Sequence, residues 1–368
     1  LSFIDTSRVY FSSFYLHGFS ELADTGKIRL RVINRIPTPL RAAVQNPEWQ
    51  HLLFAMCLFE YRQGARTRYF CIDAHDGNRL DRAAPNGGYH WPLLQAVDAY
   101  FKVNLNAGVI AETPELAAHR GKIWSVPQFF PVKPPMIAAL ARRILLPTTW
   151  FGFRPGMAHD QAYGGHRADA LRRFRDFANF PAIDAMLKRR TDQKDIDIFF
   201  VTSFYAKPRH RAMMERRYQI MQRIGRCNDL NCVVGFTSTE SVPEPFSDAL
   251  SPRLTLEQYI ATVARARVTV YTQGMERCIS SKFAIAMALG SALVGEPLGN
   301  DASLLEPHAS LSELLSTEEP DAIAQRAIAL ARDPAHAREI GAANARIFDA
   351  ELSPRASAAR MLGLVSRL

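Results

Sequence analysis

Three short stretches of the sequence carry residue types whose spacing could do chemistry. The first is Cys71-Ile-Asp-Ala-His-Asp-Gly77, in which His75 stands between Asp73 and Asp76. An imidazole flanked by carboxylates can move protons near neutral pH or bind sugar hydroxyls. The same residues could instead form a polar turn in which Asp73 or Asp76 caps a helix. The second stretch is Thr202-Ser203 followed by Lys207, Arg209 and Arg211. Fixed cations beside helix amides suit a diphosphate, and basic charge at a helix start opposes the macrodipole unless an anion lies near. The plain alternative is a solvated basic helix start. The third is Glu276-Arg-Cys-Ile-Ser-Ser-Lys-Phe-Ala-Ile-Ala-Met-Ala-Leu-Gly290. Ser280 or Ser281 can cap a helix whose free amides, with Lys282, make an anion site. Without a ligand it is a capped amphipathic helix.

The elements that must position these residues are read most easily in the second half. Asp197-Ile-Phe-Phe-Val-Thr-Ser203 is a continuous apolar run, the mark of a strand buried on both faces. Met214, Tyr218, Met221 and Ile224 then recur at helical spacing. Strands follow at Asn231–Gly235, Val268–Tyr271 and Ala292–Gly295, with helical faces between them. Gly290 is a usual helix stop. Such alternation with short connections means a parallel sheet covered on both faces. The Ala-rich segments Pro320–Ala331 and Ala335–Ala350 read as closing surface helices. In the first half, Val9–Leu22 is helical. Strands are expected at Ile28–Ile33, Tyr69–Asp73, Tyr100–Asn104 and Lys122–Pro127, with a capped helix start at Thr113. Ligands of open α/β sheets bind outside the carboxyl ends of the strands. Two of the three stretches leave such ends directly, and the third opens the helix between two strands.

Length and composition set the outer bounds. A chain of 368 residues exceeds one compact core, so two domains are expected. Domain limits of 1–185, 186–353 and a last helix over 354–368 follow, with an irregular hinge region across 134–190. The five cysteines are scattered without a CxxC pair, which argues against a disulfide framework or zinc site. A net charge of +9 implies an anionic partner. Nucleic acid is disfavoured, because no basic recognition helix or RNA-binding aromatic motif is present. No spanning apolar run and no secretory signal are seen, so a cytoplasmic protein is expected. The basic and aromatic segment Ala141–Arg154 could also touch an anionic membrane surface.

The order Lys282-x-x-x-Ala286-Met-Ala-Leu-Gly290 followed by an apolar strand resembles the C-terminal domain of GT-B glycosyltransferases, especially the group 1, retaining transferases. Tyr69–Asp76 is similar to the strand that ends in that family's His-Asp, and Lys122–Pro131 to its approach to the hinge. In this family a loop, a helix and a following strand hold the donor's diphosphate and ribose, and the His contacts the donor sugar. The family's paired glutamates are out of register, since Arg277 and Ile285 stand at their places and Glu276 lies one residue away. Asp5-Thr-Ser-Arg8 stands in place of its glycine-rich loop.

The resemblance implies two Rossmann-like α/β domains with parallel sheets and an inter-domain cleft. It also implies a metal-independent enzyme without cofactor, taking a sugar from a nucleotide sugar to a glycan, lipid-linked or small-molecule acceptor. His75, Asp73 and Asp76 would be catalytic; Thr202, Ser203, Lys207, Arg209, Glu276, Ser280, Ser281 and Lys282 would bind the donor. A GT-B nucleotide-sugar epimerase and a non-catalytic module that binds a glycan or partner are the alternatives.

Overall fold

The computed structural model describes residues 1–33, 35–80, 87–133, 179–300 and 308–368, with Arg175 and Leu305. The segment Ala141–Arg154 and most of the expected hinge region lie outside the described residues. The chain divides into two compact units. Unit 1 is Leu1–Ala182 with Leu352–Leu368, and unit 2 is Ile183–Glu351. Each is a Rossmann-like α/β fold, the class that the sequence implied.

Unit 1 runs β1 (Ser2–Ile4), α1 (Val9–Asp24), β2 (Arg31–Ile33), α2 (Thr38–Val44), β3 (Met56–Gln63), β4 (Arg66–Asp73), α3 (Trp91–Ala96), β5 (Ala99–Val103), α4 (Ala107–Glu112), α5 (Pro114–Ala117) and β6 (Ile123–Val126). The strands lie in the order β2-β1-β3-β4-β5-β6. The expectation of a wholly parallel sheet is corrected here. β1, β2, β4, β5 and β6 run one way, and β3 runs against both neighbours. Only Gly64 and Ala65 separate β3 from β4, with Gly64 at φ +59°. So short a connection closes only an antiparallel hairpin. Inside the sheet Phe59 and Phe70 are cross-strand partners with rings stacked at 4.9 Å, and Phe3 and Phe19 pack on Phe59. The terminal helix Pro354–Val365 belongs to this unit. A side chain at Gly18 of α1 would collide with the Pro354 carbonyl, so the two helices approach closely.

Unit 2 runs α6 (Ile183–Lys188), β7 (Ile196–Ser203), α7 (Arg211–Gly225), β8 (Cys232–Thr237), α8 (Leu256–Arg265), β9 (Ala266–Tyr271), α9 (Ser281–Ala288), β10 (Ala292–Gly295), α10 (Ala309–Leu314), α11 (Pro320–Ala331) and α12 (Pro334–Ile347). Its sheet is fully parallel, in the order β10-β9-β7-β8. Ile198, Phe200, Val268, Val270, Ala292 and Val294 bury one face against α7 and α11. α8 begins with a complete capping box, in which Thr255 and Gln258 satisfy each other's backbone amides. The strand order reverses between β7 and β9, because the chain leaves β7 to one side for β8 and returns to the other for β9. That reversal opens a crevice at the carboxyl ends of these two strands.

Candidate active site

In unit 1 the parallel register sets Asp73, the last residue of β4, directly opposite Lys102 of β5. Both side chains are fully buried, with Lys102 Nζ 3.6 Å from Asp73 Oδ1. Burial alone would push the Asp73 carboxyl up. Lys102, His75 and the Tyr100 hydroxyl outweigh it and hold the group below the usual carboxylate range. Tyr100 donates its hydroxyl to Asp73 Oδ2 at 2.7 Å, and burial followed by the Asp73 charge holds this phenol far above its ordinary value. Lys102 Nζ also donates to the His75 carbonyl at 2.5 Å, which ties the turn to the sheet.

His75 is 3 % exposed and is fixed by the same carboxylate. Its backbone amide donates to Asp73 Oδ1 at 3.0 Å, and Nδ1 lies 2.8 Å from that oxygen. Phe54 packs edge-on at 4.9 Å. Gly87, at φ +72°, leaves the ring its place, since any Cβ there would collide with it. Nε2 is buried and has no hydrogen-bond partner among the described residues. With Asp73 orienting Nδ1–H, Nε2 is the lone-pair side of the ring, the arrangement of a histidine general base. Asp76 takes a different position: it accepts from Asn104 Nδ2 at 3.0 Å, and Asn104, at φ +56°, also reaches Gln128 at 3.3 Å. Asp73 and His75 therefore form one buried unit, and Asp76 belongs to a polar cluster at the ends of β5 and β6.

In unit 2 the crevice between β7 and β9 holds two cations. Arg217 of α7 is 3 % exposed. Its guanidinium spans the crevice, donating to the Ser203 carbonyl at 3.2 Å, Thr272 Oγ1 at 3.0 Å and the Gln273 carbonyl at 2.8 Å. Lys282, in the first turn of α9, donates to the Val201 carbonyl of β7 at 3.0 Å and sits 5.5 Å from the Tyr259 ring centre. Burial, reinforced by the Arg217 charge, pushes its ammonium down to about 7. Among the described residues neither cation has a carboxylate hydrogen-bond partner; the buried Glu296, paired with Arg216, attracts Arg217 without bonding it. Ser280 is the N-cap of α9 without a side-chain cap bond, and Ser281 is the first helical residue. The loop before it carries Glu276 and Arg277 at φ +55° and +59°, two adjacent non-glycine residues in the left-handed region. Strain of this kind costs of order 1–3 kcal/mol per residue and clusters at ligand clamps.

The other expected donor residues are spread around this crevice. Thr202 is buried and Ser203 half-buried at the end of β7, while Glu276 is exposed in the strained loop. Lys207 and Arg209 are exposed in the single turn that leads into α7, where Arg209 Nε donates to His210 at 3.1 Å. The cation beside Lys282 is Arg217, which sequence reasoning missed together with Lys102 and Tyr100. The signal was present: Arg217 falls within the apolar helical stripe of Met214, Tyr218 and Met221. Lys102 likewise lies inside a strand whose five residues are all buried. Among the described residues no group of three or more His, Cys, Asp or Glu side chains could hold a metal ion. Nor is any helix among them long and apolar enough to cross a membrane.

No protein-family model matches the chain, and no curated protein matches it. Among solved structures it is similar to TarM of S. aureus in complex with fondaparinux, α-GlcNAc-glycerol and UDP, at 10% identity and a TM-score of 0.43, over 80% of this chain and 50% of that one. It is also similar to a UDP-GlcNAc 2-epimerase from Neisseria meningitidis bound to UDP-GlcNAc, at 11% identity and a TM-score of 0.38, over 76% of this chain and 74% of that one. The chain thus spans about half the length of TarM.

Proposed function

We propose that the chain is a GT-B glycosyltransferase that transfers a sugar from a nucleotide-sugar donor to a hydroxyl of a glycan, lipid-linked or small-molecule acceptor. The observation that carries this reading is the pair of cations at the reversal of the unit 2 sheet. Arg217 and Lys282 are held there by neutral hydrogen-bond partners. The buried Glu296 carboxylate acts on Arg217 but is already paired with Arg216, so positive charge is in excess here. Excess buried charge is costly, and a diphosphate bound to both cations and to the start of α9 would balance it. In this reading Arg217, Lys282 and the helix amides carry the charge that develops on the leaving diphosphate, without a metal ion.

His75 is the proton acceptor. As the acceptor oxygen bonds to the anomeric carbon, Nε2 takes its proton, and the bond from that carbon to the donor phosphate breaks with its electron pair going to the diphosphate. Asp73 stabilises the imidazolium that forms. A base positioned in this way suits inversion at the anomeric carbon.

The test is a thermal-shift titration with UDP, GDP, ADP, CMP and dTDP, since a ligand of the folded state raises its stability by mass action. At least one nucleoside diphosphate should stabilise the protein, and the effect should weaken in Lys282→Ala. Absence of any shift, or equal shifts in both proteins, overturns the reading. The unpartnered His75 Nε2 would equally serve to abstract a proton from a sugar carbon, the step that an epimerase needs. NMR of the nucleotide sugar separates the two: glycoside formed only with added acceptor supports transfer, and an epimer formed without acceptor supports epimerisation.

A further inference from the structure

The opposite edge of the unit 2 sheet, where β7 and β9 begin, has a cavity of its own. It encloses about 680 Å³ between the segment 190–194, the C-terminal end of α9 and one face of α12. Its basic residues fall into two groups. Arg190 and Arg267 are already neutralised: Arg190 makes a two-pronged pair with Asp349 at 2.8 Å, and Arg267 pairs with Asp197. Lys194, Arg338 and Arg346 take part in no ion pair among the described residues. Lys194 Nζ donates only to carbonyls, those of Ala264 at 2.7 Å and Leu289 at 3.4 Å, at the ends of α8 and α9. Burial pushes this ammonium down to about 8, with Asp192 opposing the shift.

The geometry of these three cations is specific, although Asp192 also lines the cavity near Lys194. Arg338 and Arg346 stand eight residues apart on α12, about 12 Å along the helix axis. Ala342 and Ala345 lie between them on the same face, and Leu289 lines the cavity with them. The lining is therefore apolar in the middle with a positive charge toward each end and a third, half-buried cation, Lys194. A volume of this order is that of a small-molecule site rather than of a flat macromolecular interface.

We infer that this cavity is a second ligand site, for a free small organic molecule that carries at least two phosphate groups on an uncharged body. β7 spans eight residues from this edge to the Arg217 crevice, about 26 Å at the usual strand rise. Its ligand and a nucleotide therefore do not compete for one position, and the site is suited to an effector. The inference does not depend on the activity proposed above.

The experiment is calorimetric titration of the full chain with fructose 1,6-bisphosphate as the probe, alongside co-sedimentation with phosphatidylglycerol vesicles. Wild type, Lys282→Ala and the double variant Arg338→Gln/Arg346→Gln are compared; both arginines are exposed, so the double variant leaves the core untouched. The probe should bind wild type and Lys282→Ala alike, and the double variant at least tenfold more weakly, as expected for loss of two charge-assisted contacts. Equal binding by the double variant, or no binding to wild type, overturns the site. Binding lost in Lys282→Ala but kept in the double variant places the probe in the other crevice and overturns it as well. If vesicles alone bind, and do so through the two arginines, the phosphate is a lipid headgroup and the free-ligand assignment falls.

Discussion

The carboxyl edges of the two sheets bury charge in different ways. In unit 1 the charges cancel inside the protein: Lys102 faces Asp73, Tyr100 and His75 satisfy the carboxylate, and His75 Nε2, like the Tyr89 hydroxyl and His90 Nε2, has no hydrogen-bond partner among the described residues. In unit 2 they cancel only in part: Arg217 and Lys282 donate to carbonyls and a hydroxyl, and the buried Glu296 carboxylate that acts on Arg217 is shared with Arg216 and the Gln273 amide. The unit 1 network suits the proton transfer proposed for His75. An excess of buried positive charge suits the anion proposed for the unit 2 crevice.

The comparison breaks first if the unit 1 network is not closed. Lys102→Met removes the buried cation paired with Asp73, and breaking a buried pair costs about 3–5 kcal/mol. Urea unfolding followed by tryptophan fluorescence reads this directly, since Trp49, Trp91 and Trp124 lie in unit 1 and residues 183–351 contain no tryptophan. The sign with pH follows from the depressed Asp73 carboxyl. Its stabilisation is present above the unfolded carboxylate value and is lost as pH falls through the folded one. Lys102→Met should flatten that acid loss; an unchanged acid profile and unfolding midpoint would show that the pair does not hold the site.

The second expected effect is on turnover. Loss of a general base costs roughly 100-fold or more, so His75→Ala should lower kcat by about that factor while nucleoside diphosphate affinity stays near wild type. Near-normal kcat would remove His75 from the chemistry. In unit 2 the expected effect is on affinity. One charge-assisted contact is worth roughly 1.5–3 kcal/mol, so Lys282→Ala should weaken nucleoside diphosphate binding by about ten- to a hundredfold.

The smallest effect is the most specific. With its ammonium near 7 in the ligand-free protein, Lys282 must take up a proton to bind an anion above that pH. The dissociation constant should rise by up to about tenfold per pH unit from pH 7 upward, and Lys282→Ala should abolish that slope. In the absence of ligand the sign is reversed. The unfolded chain keeps its lysine protonated up to about 10.4, so this residue makes stability rise between pH 7 and that value. A flat binding profile in wild type would mean that Lys282 is not at the anion.

Most of unit 2 was legible in the sequence because its strands are buried on both faces, and Ile-Phe-Phe-Val at Ile198–Val201 can be little else. β3 was not, since its later residues Tyr61, Arg62 and Gln63 emerge at the hairpin tip and break the apolar run. The site shows the same divide. His75 and Lys282 announce themselves by composition at a strand end and a helix start. Lys102 and Arg217 sit within apolar patterns, where long cations read as solvated, and only the register of β4 on β5 and the reversal of the unit 2 sheet reveal what they face.

The terminal helix has a consequence for the order in which the chain is made. Pro354–Val365 packs on α1, yet the whole of unit 2 lies between them in the sequence. During synthesis, unit 2 has emerged entirely before the last piece of unit 1 exists. Domains fold as units while the chain grows, so the inserted unit can reach its native state on the ribosome, whereas the one that starts the chain must wait with the Gly18 face of α1 uncovered until the helix arrives.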